Sequence, residues 1–212
     1  DVCSSDLPGV EFGNHNVIDY APEKATALCA VLPQMPGLVY EAHSTDYQTR
    51  EALTRLVDDG FAILKVGPGL TFVLREALYG LDAIAEELFP GQRPRSLRAT
   101  MEAVMLADPA NWDRYYHGSP AERALQRQFS YSDRIRYYWP APAAQAAVAR
   151  LFDTLNGRMI PLPLIWQHLP GGDALADTPL NPEEVVIQRV RRSLDAYHAA
   201  CRAGAAPDYS AA

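Results

Sequence analysis

The sequence lacks the features of a secreted or membrane-spanning protein. Its three cysteines, Cys3, Cys29 and Cys201, lie far apart and show no CxxC spacing, which supports neither a disulfide framework nor a structural zinc site. No apolar run approaches the roughly 18 residues of a membrane span, and residues 1–20 have no basic start followed by an apolar core. We therefore expect reduced thiols, a cytoplasmic location and no membrane partner.

An excess of positive charge is also missing. The formal net charge is −7 and the isoelectric point is about 5.2, which opposes broad binding to nucleic acids or anionic lipids. The chain contains neither GxxxxGK[ST] nor GxGxxG, the loops that cradle nucleotide phosphates. These absences leave a kinase activity without a supporting motif, and we expect no bound cofactor.

What the chain does contain is an alternation of strand and helix patterns in residues 37–72. A short apolar run ends in Glu41 and His43, and a second run, residues 61–66, carries Lys65, with an amphipathic segment between them. Strands that alternate with helices predict an α/β fold with a parallel sheet. The 212 residues can bury a large core, but they fall below the roughly 250 residues of a complete (β/α)8 barrel.

Strand periodicity predicts which side chains meet, because residues two apart on a strand share a face. On the first strand, Val39, Glu41 and His43 share one face. On the second strand, Phe61, Ile63 and Lys65 share one face. If both face the centre of a barrel, Glu41, His43 and Lys65 lie together at its carboxyl-end rim, where ligands bind in such folds. The alternate residues of the second strand are all apolar and suit packing under helices.

The second strand stops at a glycine-rich turn, Gly67-Pro68-Gly69, that leads into a helix. A helix N-terminus offers backbone N–H groups to a phosphate, and barrel phosphate sites often use the last loops. The turn is therefore a candidate phosphate site, assisted by Lys65 and Thr71. The alternative interpretation is that glycine only permits a tight turn here.

Metal binding is a further alternative for the strand ends, since carboxylate and imidazole are suitable metal ligands. Glu41 and His43 are only two such groups, and a third would have to come from Asp46, from loops or from outside the chain. We expect a hydrogen-bonded pair that lines a pocket, and no metal site.

The rest of the chain is predicted to be mainly helical, with one unusual aromatic segment. In FSYSDRIRYYWP, residues 129–140, aromatic side chains alternate with Arg134 and Arg136. Because the chain is acidic, we predict that these arginines pair with carboxylates and do not bind nucleic acid; either one is a candidate for holding a sugar phosphate. Ser132 or Asp133 is expected to cap a helix at this point.

Three strings carry a resemblance to a known family: YEAHSTDYQT at 40–49, FAILKVGP at 61–68 and SDRIRYYWP at 132–140. In order and spacing they resemble the GatZ/KbaZ-type subunits of D-tagatose-1,6-bisphosphate aldolase, barrel proteins sometimes labelled tagatose-6-phosphate kinases. The resemblance runs from about Pro8 to Leu169. Gly69 departs from it, because an alanine is expected at that position.

The resemblance implies a fold and a division of the chain. It implies the C-terminal portion of a TIM (β/α)8 barrel, holding the last two strands, with additional C-terminal helices and with six strands absent. Residues 8–170 would form the partial barrel, and residues 171–212 a linker, a terminal helix and a disordered tail. Residues 1–7, DVCSSDL, look like a translated sequencing adapter and are set aside as non-native.

The same resemblance implies a function without catalytic residues. Such subunits stabilise and activate a separate class II aldolase, a zinc enzyme of galactitol, N-acetylgalactosamine or tagatose catabolism. Two alternatives stay open: a sugar-phosphate enzyme, aldolase or kinase, that uses Glu41, His43 and Lys65, or an inactive truncated fragment. The predicted substrate or phosphate contacts are Glu41, His43, Asp46, Lys65, Gly67, Gly69, Thr71, Arg134 and Arg136.

Overall fold

The computed structural model describes residues 9–91 and 96–203. The presumed adapter segment with Cys3 and the predicted tail from residue 204 onward lie outside the described residues. The chain divides into two compact units, one formed by the residues up to Leu70 together with those from Arg191 onward, the other by Thr71–Val190. Each unit has its own hydrophobic core.

The first unit opens with a hairpin that the sequence patterns do not indicate. Strands β1 (Glu11–Phe12) and β2 (Val17–Ile18) pair antiparallel, and helix α1 (Pro22–Cys29) follows with proline in its first turn. Strands of two residues are too short to show the alternation on which strand prediction depends.

Strands β3 (Tyr40–Ala42) and β4 (Phe61–Leu64) pair in parallel, as predicted. A bulge at Ala62 shifts their register. The extra residue reverses the alternation of faces, so that Phe61 enters the core with 1% of its surface exposed, whereas Ile63 stays 46% exposed. The prediction that Phe61 shares the face of Ile63 is therefore wrong.

The connection between these strands is the predicted amphipathic helix, α2 (Arg50–Asp58). Its N-terminus is capped by Thr49, whose hydroxyl accepts a hydrogen bond from the backbone N–H of Ala52 at 3.1 Å. Leu53 and Leu56 are almost completely buried in the core of the first unit. A strand, a helix and a second, parallel strand thus follow one another as the residue pattern predicts.

The second unit is helical. Its elements are most of α3 (Pro68–Leu88), then α4 (Leu97–Ala107), α5 (Pro120–Phe129), α6 (Pro142–Leu155), α7 (Leu162–His168) and the start of α8 (Pro182–Ala203). Leu81 and Ile84 of α3 are fully buried in the core of this unit. Helix α5 begins at a capping box formed by Ser119 and Glu122, and the aromatic and apolar patterns of the sequence do not predict it.

The fold class is mixed α/β, as predicted, with far more helix than strand. The described residues form two sheets of two strands each, and neither closes into a barrel. Among these residues, no helix combines the length and the apolar character that a membrane span requires.

We predict that Gly80→Ala destabilises the protein, although alanine normally favours a helix over glycine. Gly80 lies in α3, and a Cβ there would overlap the backbone carbonyl oxygen of His168. Overpacking of this kind costs about 1–3 kcal/mol, which urea denaturation would measure. Gly67→Ala is the matched control because a Cβ at Gly67 meets nothing within 4 Å; equal stability of the two variants would contradict the prediction.

Candidate functional site

The ends of β3 and β4 bring together the three polar groups that strand alternation predicts. Nε2 of His43 lies 2.9 Å from Oε1 of Glu41, and Nζ of Lys65 lies 2.9 Å from the same oxygen. Their side chains are 20%, 31% and 52% exposed for His43, Glu41 and Lys65 respectively. The predicted convergence of these three residues, which we call the charged triad, is confirmed, and solvent reaches it.

The protonation states of the charged triad follow from the shared oxygen. A hydrogen bond from Lys65 is the main reason that the pKa of Glu41 lies below its ordinary value, so Glu41 is an ionised acceptor. Nε2 of His43 must carry a proton to bond to it. With that proton in place, Nε2 of His43 and Nζ of Lys65 are both donors, so the 3.3 Å between them is a close contact and not a hydrogen bond.

The loop that follows β3, residues 43–49, holds the triad in place, and we call it the site loop. The backbone N–H and the hydroxyl of Thr45 both donate to the backbone carbonyl of Lys65, at 3.1 and 2.8 Å. The N–H of Lys65 in turn donates to the carbonyl of Ala42 at 2.9 Å. The backbone of Lys65 is therefore bound on both sides by β3 and the loop after it.

Asp46 occupies the turn that was predicted to bind phosphate. Its Oδ1 accepts hydrogen bonds from the backbone N–H groups of Gly67 and Gly69, at 2.8 and 2.7 Å. Asp46 is 2% exposed. The predicted phosphate site at these two glycines is thus corrected: a carboxylate of the same chain already satisfies the N–H groups at the start of α3, as an anion does at a helix N-terminus. Asp46 has a structural role at this turn, and its place among the ligand contacts stays a prediction.

Two residues of the site loop adopt a left-handed backbone conformation that is unusual for residues other than glycine. The φ angles are 56° for Ser44 and 64° for Tyr47. Such conformations persist only where the surrounding structure enforces them. Gln48 supplies part of that enforcement, since its side chain donates to the carbonyl of Ile18 and accepts from the N–H of Tyr20, both at 2.9 Å.

Three predicted contacts, Thr71, Arg134 and Arg136, belong to the second unit, whereas the other six belong to the first. Thr71 donates from its hydroxyl to Oδ2 of Asp133 at 2.7 Å, and Arg75 donates to Oδ1 of the same carboxylate at 2.8 Å. Burial raises the pKa of Asp133, against the opposing effect of Arg75 and Thr71. Thr71 therefore serves this buried network.

Within residues 9–91 and 96–203, the two arginines of the aromatic segment bond to backbone carbonyls and form no ion pair with a carboxylate. Nε of Arg134 donates to the carbonyl of Asn111, and its guanidinium lies 3.3 Å from the ring centre of Tyr115. Arg136 donates to the carbonyl of Ser132. The predicted carboxylate pairing is wrong because the nearby acid, Asp133, is already bound to Arg75 and Thr71.

The predicted helix cap in this segment is also wrong. Asp133 precedes a short 3-10 helix, Arg134–Tyr138, with a left-handed backbone conformation and no capping hydrogen bond from its side chain.

Residues 9–91 and 96–203 contain no group of three or more His, Cys, Asp and Glu side chains placed to hold a metal.

We predict that Lys65→Met raises the pKa of Glu41, because the hydrogen bond and charge that lower it are removed. The carboxylate would then protonate at a higher pH than in the unmodified protein. Titration of the Glu41 side-chain carbon by NMR measures this. The chain has one other lysine, Lys24, and Lys24→Met is the charge-matched control; a Glu41 pKa that is unmoved by Lys65→Met contradicts the assignment.

Comparison with known proteins finds relatives that are named for tagatose 6-phosphate but for different activities. A curated D-tagatose 6-phosphate 4-epimerase from Agrobacterium fabrum (strain C58 / ATCC 33970) is 52% identical over 197 residues, which cover 93% of this chain and 46% of the relative. The crystal structure of a probable tagatose 6 phosphate kinase from Sinorhizobium meliloti 1021 is 57% identical, with a TM-score of 0.87, over 92% of this chain and 51% of that one. The chain spans about half the length of these relatives.

A family match covers nearly the whole chain. The family described as D-tagatose-1,6-bisphosphate aldolase subunit GatZ/KbaZ-like matches residues 6–202, well past Leu169, where the resemblance was expected to end. The strand ends that carry the charged triad and the aromatic segment with its two arginines both fall within the match. The chain belongs to the D-tagatose-1,6-bisphosphate aldolase subunit GatZ/KbaZ-like family.

Proposed function

We propose that the protein acts on a phosphate ester of D-tagatose and that the charged triad is the part of the active site on this chain. One observation carries the proposal: the imidazole of His43 and the ammonium group of Lys65 both contact one carboxylate oxygen of Glu41, at the carboxyl ends of two parallel strands. Open α/β sheets and barrels bind their ligands at that end. The names of both relatives refer to tagatose 6-phosphate.

Aldol cleavage and epimerisation at C4 share their first step in a 2-ketohexose phosphate. A base removes the proton of the C4 hydroxyl, the C3–C4 bond breaks, and its electron pair moves to the C2 carbonyl to give an enediolate and an aldehyde. If the two products separate, the reaction is an aldol cleavage. If the aldehyde turns and the C3–C4 bond reforms on its other face, the configuration at C4 is inverted. One site can therefore account for an aldolase family and an epimerase relative.

The residues of the charged triad suit these steps. His43 would take the C4 hydroxyl proton, because imidazole exchanges protons near neutral pH; with Nε2–H bonded to Glu41, the accepting nitrogen is Nδ1. Glu41 would orient the ring, and the Lys65 ammonium would stabilise the negative charge of the enediolate. Arg134 and Arg136 stay predictions as phosphate contacts.

The second candidate function is the non-catalytic accessory subunit. In this role the protein would bind, stabilise and activate a separate class II aldolase of galactitol or tagatose catabolism. The family description, which names an aldolase subunit, favours it. The satisfied glycine turn agrees with it as well, since Asp46 takes two N–H groups that a phosphate site would need. A cytoplasmic location is expected for either function.

We also propose that β3 and β4 are neighbouring strands of a (β/α)8 barrel in the longer protein, within a partial barrel at residues 8–170. Their parallel pairing across helix α2 supports this, and so does the exposed face at Ile63, which a barrel would cover. The polar strand ends then lie at the catalytic rim of the barrel.

We predict that the complete protein, purified alone, converts D-tagatose 6-phosphate to its C4 epimer, D-fructose 6-phosphate. His43→Gln should lower kcat by at least about 100-fold, the usual contribution of a general base. His117→Gln, at an exposed histidine of the second unit, is the control. A coupled assay for fructose 6-phosphate gives both rates.

The same preparation separates the two candidate functions. No turnover alone, together with a longer half-life or higher activity of an added class II aldolase on tagatose 1,6-bisphosphate, supports the accessory subunit and rejects the enzyme. Turnover that survives His43→Gln unchanged rejects the assignment of the triad.

A further inference from the structure

The C-terminal part of α8 reaches the site loop within the first unit. Ala200 is fully buried in the core of that unit, and Ala196 and Tyr197 pack against the same core. Tyr197 lies on the apolar side of the helix, but its hydroxyl is polar and requires a partner when it is buried. That partner is found 152 residues earlier in the chain.

The hydroxyl of Tyr197 donates a hydrogen bond to the backbone carbonyl of Thr45 at 2.7 Å. Burial raises the pKa of Tyr197 to about 12, with the nearby charge of Asp46 adding to the effect and the bond to Thr45 opposing it. The phenol is therefore a neutral donor at any physiological pH. A second donor to this carbonyl is the N–H of Gln48, at the longer distance of 3.4 Å.

A short series of contacts joins this hydroxyl to the charged triad. Thr45 is fully buried, and its N–H and hydroxyl both bind the carbonyl of Lys65. Lys65 in turn places its ammonium 2.9 Å from Glu41. Thr45 thus makes hydrogen bonds both to the hydroxyl of Tyr197 and to the backbone carbonyl of Lys65.

We propose that Tyr197 is a positioning residue for the charged triad: it fixes Thr45, and through Thr45 it fixes the placement of Lys65 against Glu41. This proposal concerns the site of the proposed function, and it assigns to the C-terminal helix a part in that site. Tyr197 acts through Thr45 and touches none of the three charged groups in the contacts described above.

The pKa of Glu41 is a sensitive measure of this placement. Tyr197→Phe replaces one neutral side chain by another, so it changes no charge near the site. A rise in the Glu41 pKa is then the expected sign of a longer or weaker contact with Lys65, whose hydrogen bond is the main cause of its lowered value. The expected shift has the same sign as that of Lys65→Met and is smaller.

Tyr40→Phe is the matched control. The hydroxyl of Tyr40 also donates to a backbone carbonyl at 2.7 Å, that of Leu28, and lies in the same unit. Both variants lose one phenol-to-carbonyl bond, so a similar fall in melting temperature is expected for each. Only Tyr197→Phe should move the Glu41 pKa.

The experiment is NMR titration of the Glu41 carboxyl carbon in the complete protein and in these variants. Thr45→Val is the second variant, because it keeps the shape of Thr45 and removes its hydroxyl bond to Lys65; it should raise the Glu41 pKa even if Tyr197→Phe does not fold. An unchanged Glu41 pKa in a folded Tyr197→Phe protein, or an equal rise in Tyr40→Phe, overturns the proposal.

The titration needs no substrate, which separates this proposal from the proposed function. A shift in the Glu41 pKa without any turnover of tagatose 6-phosphate would support the positioning role and reject the enzyme. In an active protein, Tyr197→Phe should lower kcat, and Tyr40→Phe should leave it near the unmodified value.

Discussion

The backbone carbonyl of Lys65 accepts two hydrogen bonds from Thr45, and the geometry of the site depends on this contact. Strands β3 and β4 have only three and four residues, so their own ladder contributes few hydrogen bonds. The strand ends would be free to move apart without additional bonds. Thr45 supplies two of these, and Asp46 supplies two more across the turn after Lys65.

Glycine at position 69 belongs to the same arrangement. A Cβ at Gly69 would lie 3.0 Å from Oδ1 of Asp46, which is closer than an ordinary van der Waals contact. The alanine that the family resemblance led us to expect would therefore push the carboxylate by a few tenths of an ångström. Glycine here allows an acid to approach the start of α3, and the acid takes the place that we had predicted for a phosphate.

Local patterns in the sequence predicted the part of the site that lies on the strands. Apolar runs, alternation and the glycine turn are local signals, and they gave the parallel pair, α2 and the meeting of Glu41, His43 and Lys65. The register of β3 against β4 could not be predicted, because nothing in the string FAIL at residues 61–64 indicates the bulge that turns Phe61 toward the core. The hairpin β1–β2 is too short to leave a pattern, whereas α5 has a local signal in the sequence, the capping box of Ser119 and Glu122.

Partners distant in sequence could not be predicted in this way. The bonds of Asp46 to the glycine turn span 21 and 23 residues, and the bond of Tyr197 spans 152. For Arg134 and Arg136, the sequence pattern predicted pairing with carboxylates. The nearby carboxylate of Asp133 instead accepts a hydrogen bond from Arg75, which lies 58 residues away in the sequence. Competition for one acceptor is a property of the folded chain, and composition or spacing does not reveal it.

The chemistry that we propose requires rigid strand ends, because a base and a cation act on adjacent atoms of one substrate. Hydrogen exchange tests this rigidity most directly. If the hydrogen bonds of Thr45 and Asp46 hold the strand ends together, the amides of Thr45, Lys65, Gly67 and Gly69 exchange as slowly as those of the two buried leucines of helix α2 in the same unit. Exchange of these four amides at the rate of an open loop, such as that around Gly37, would contradict the account.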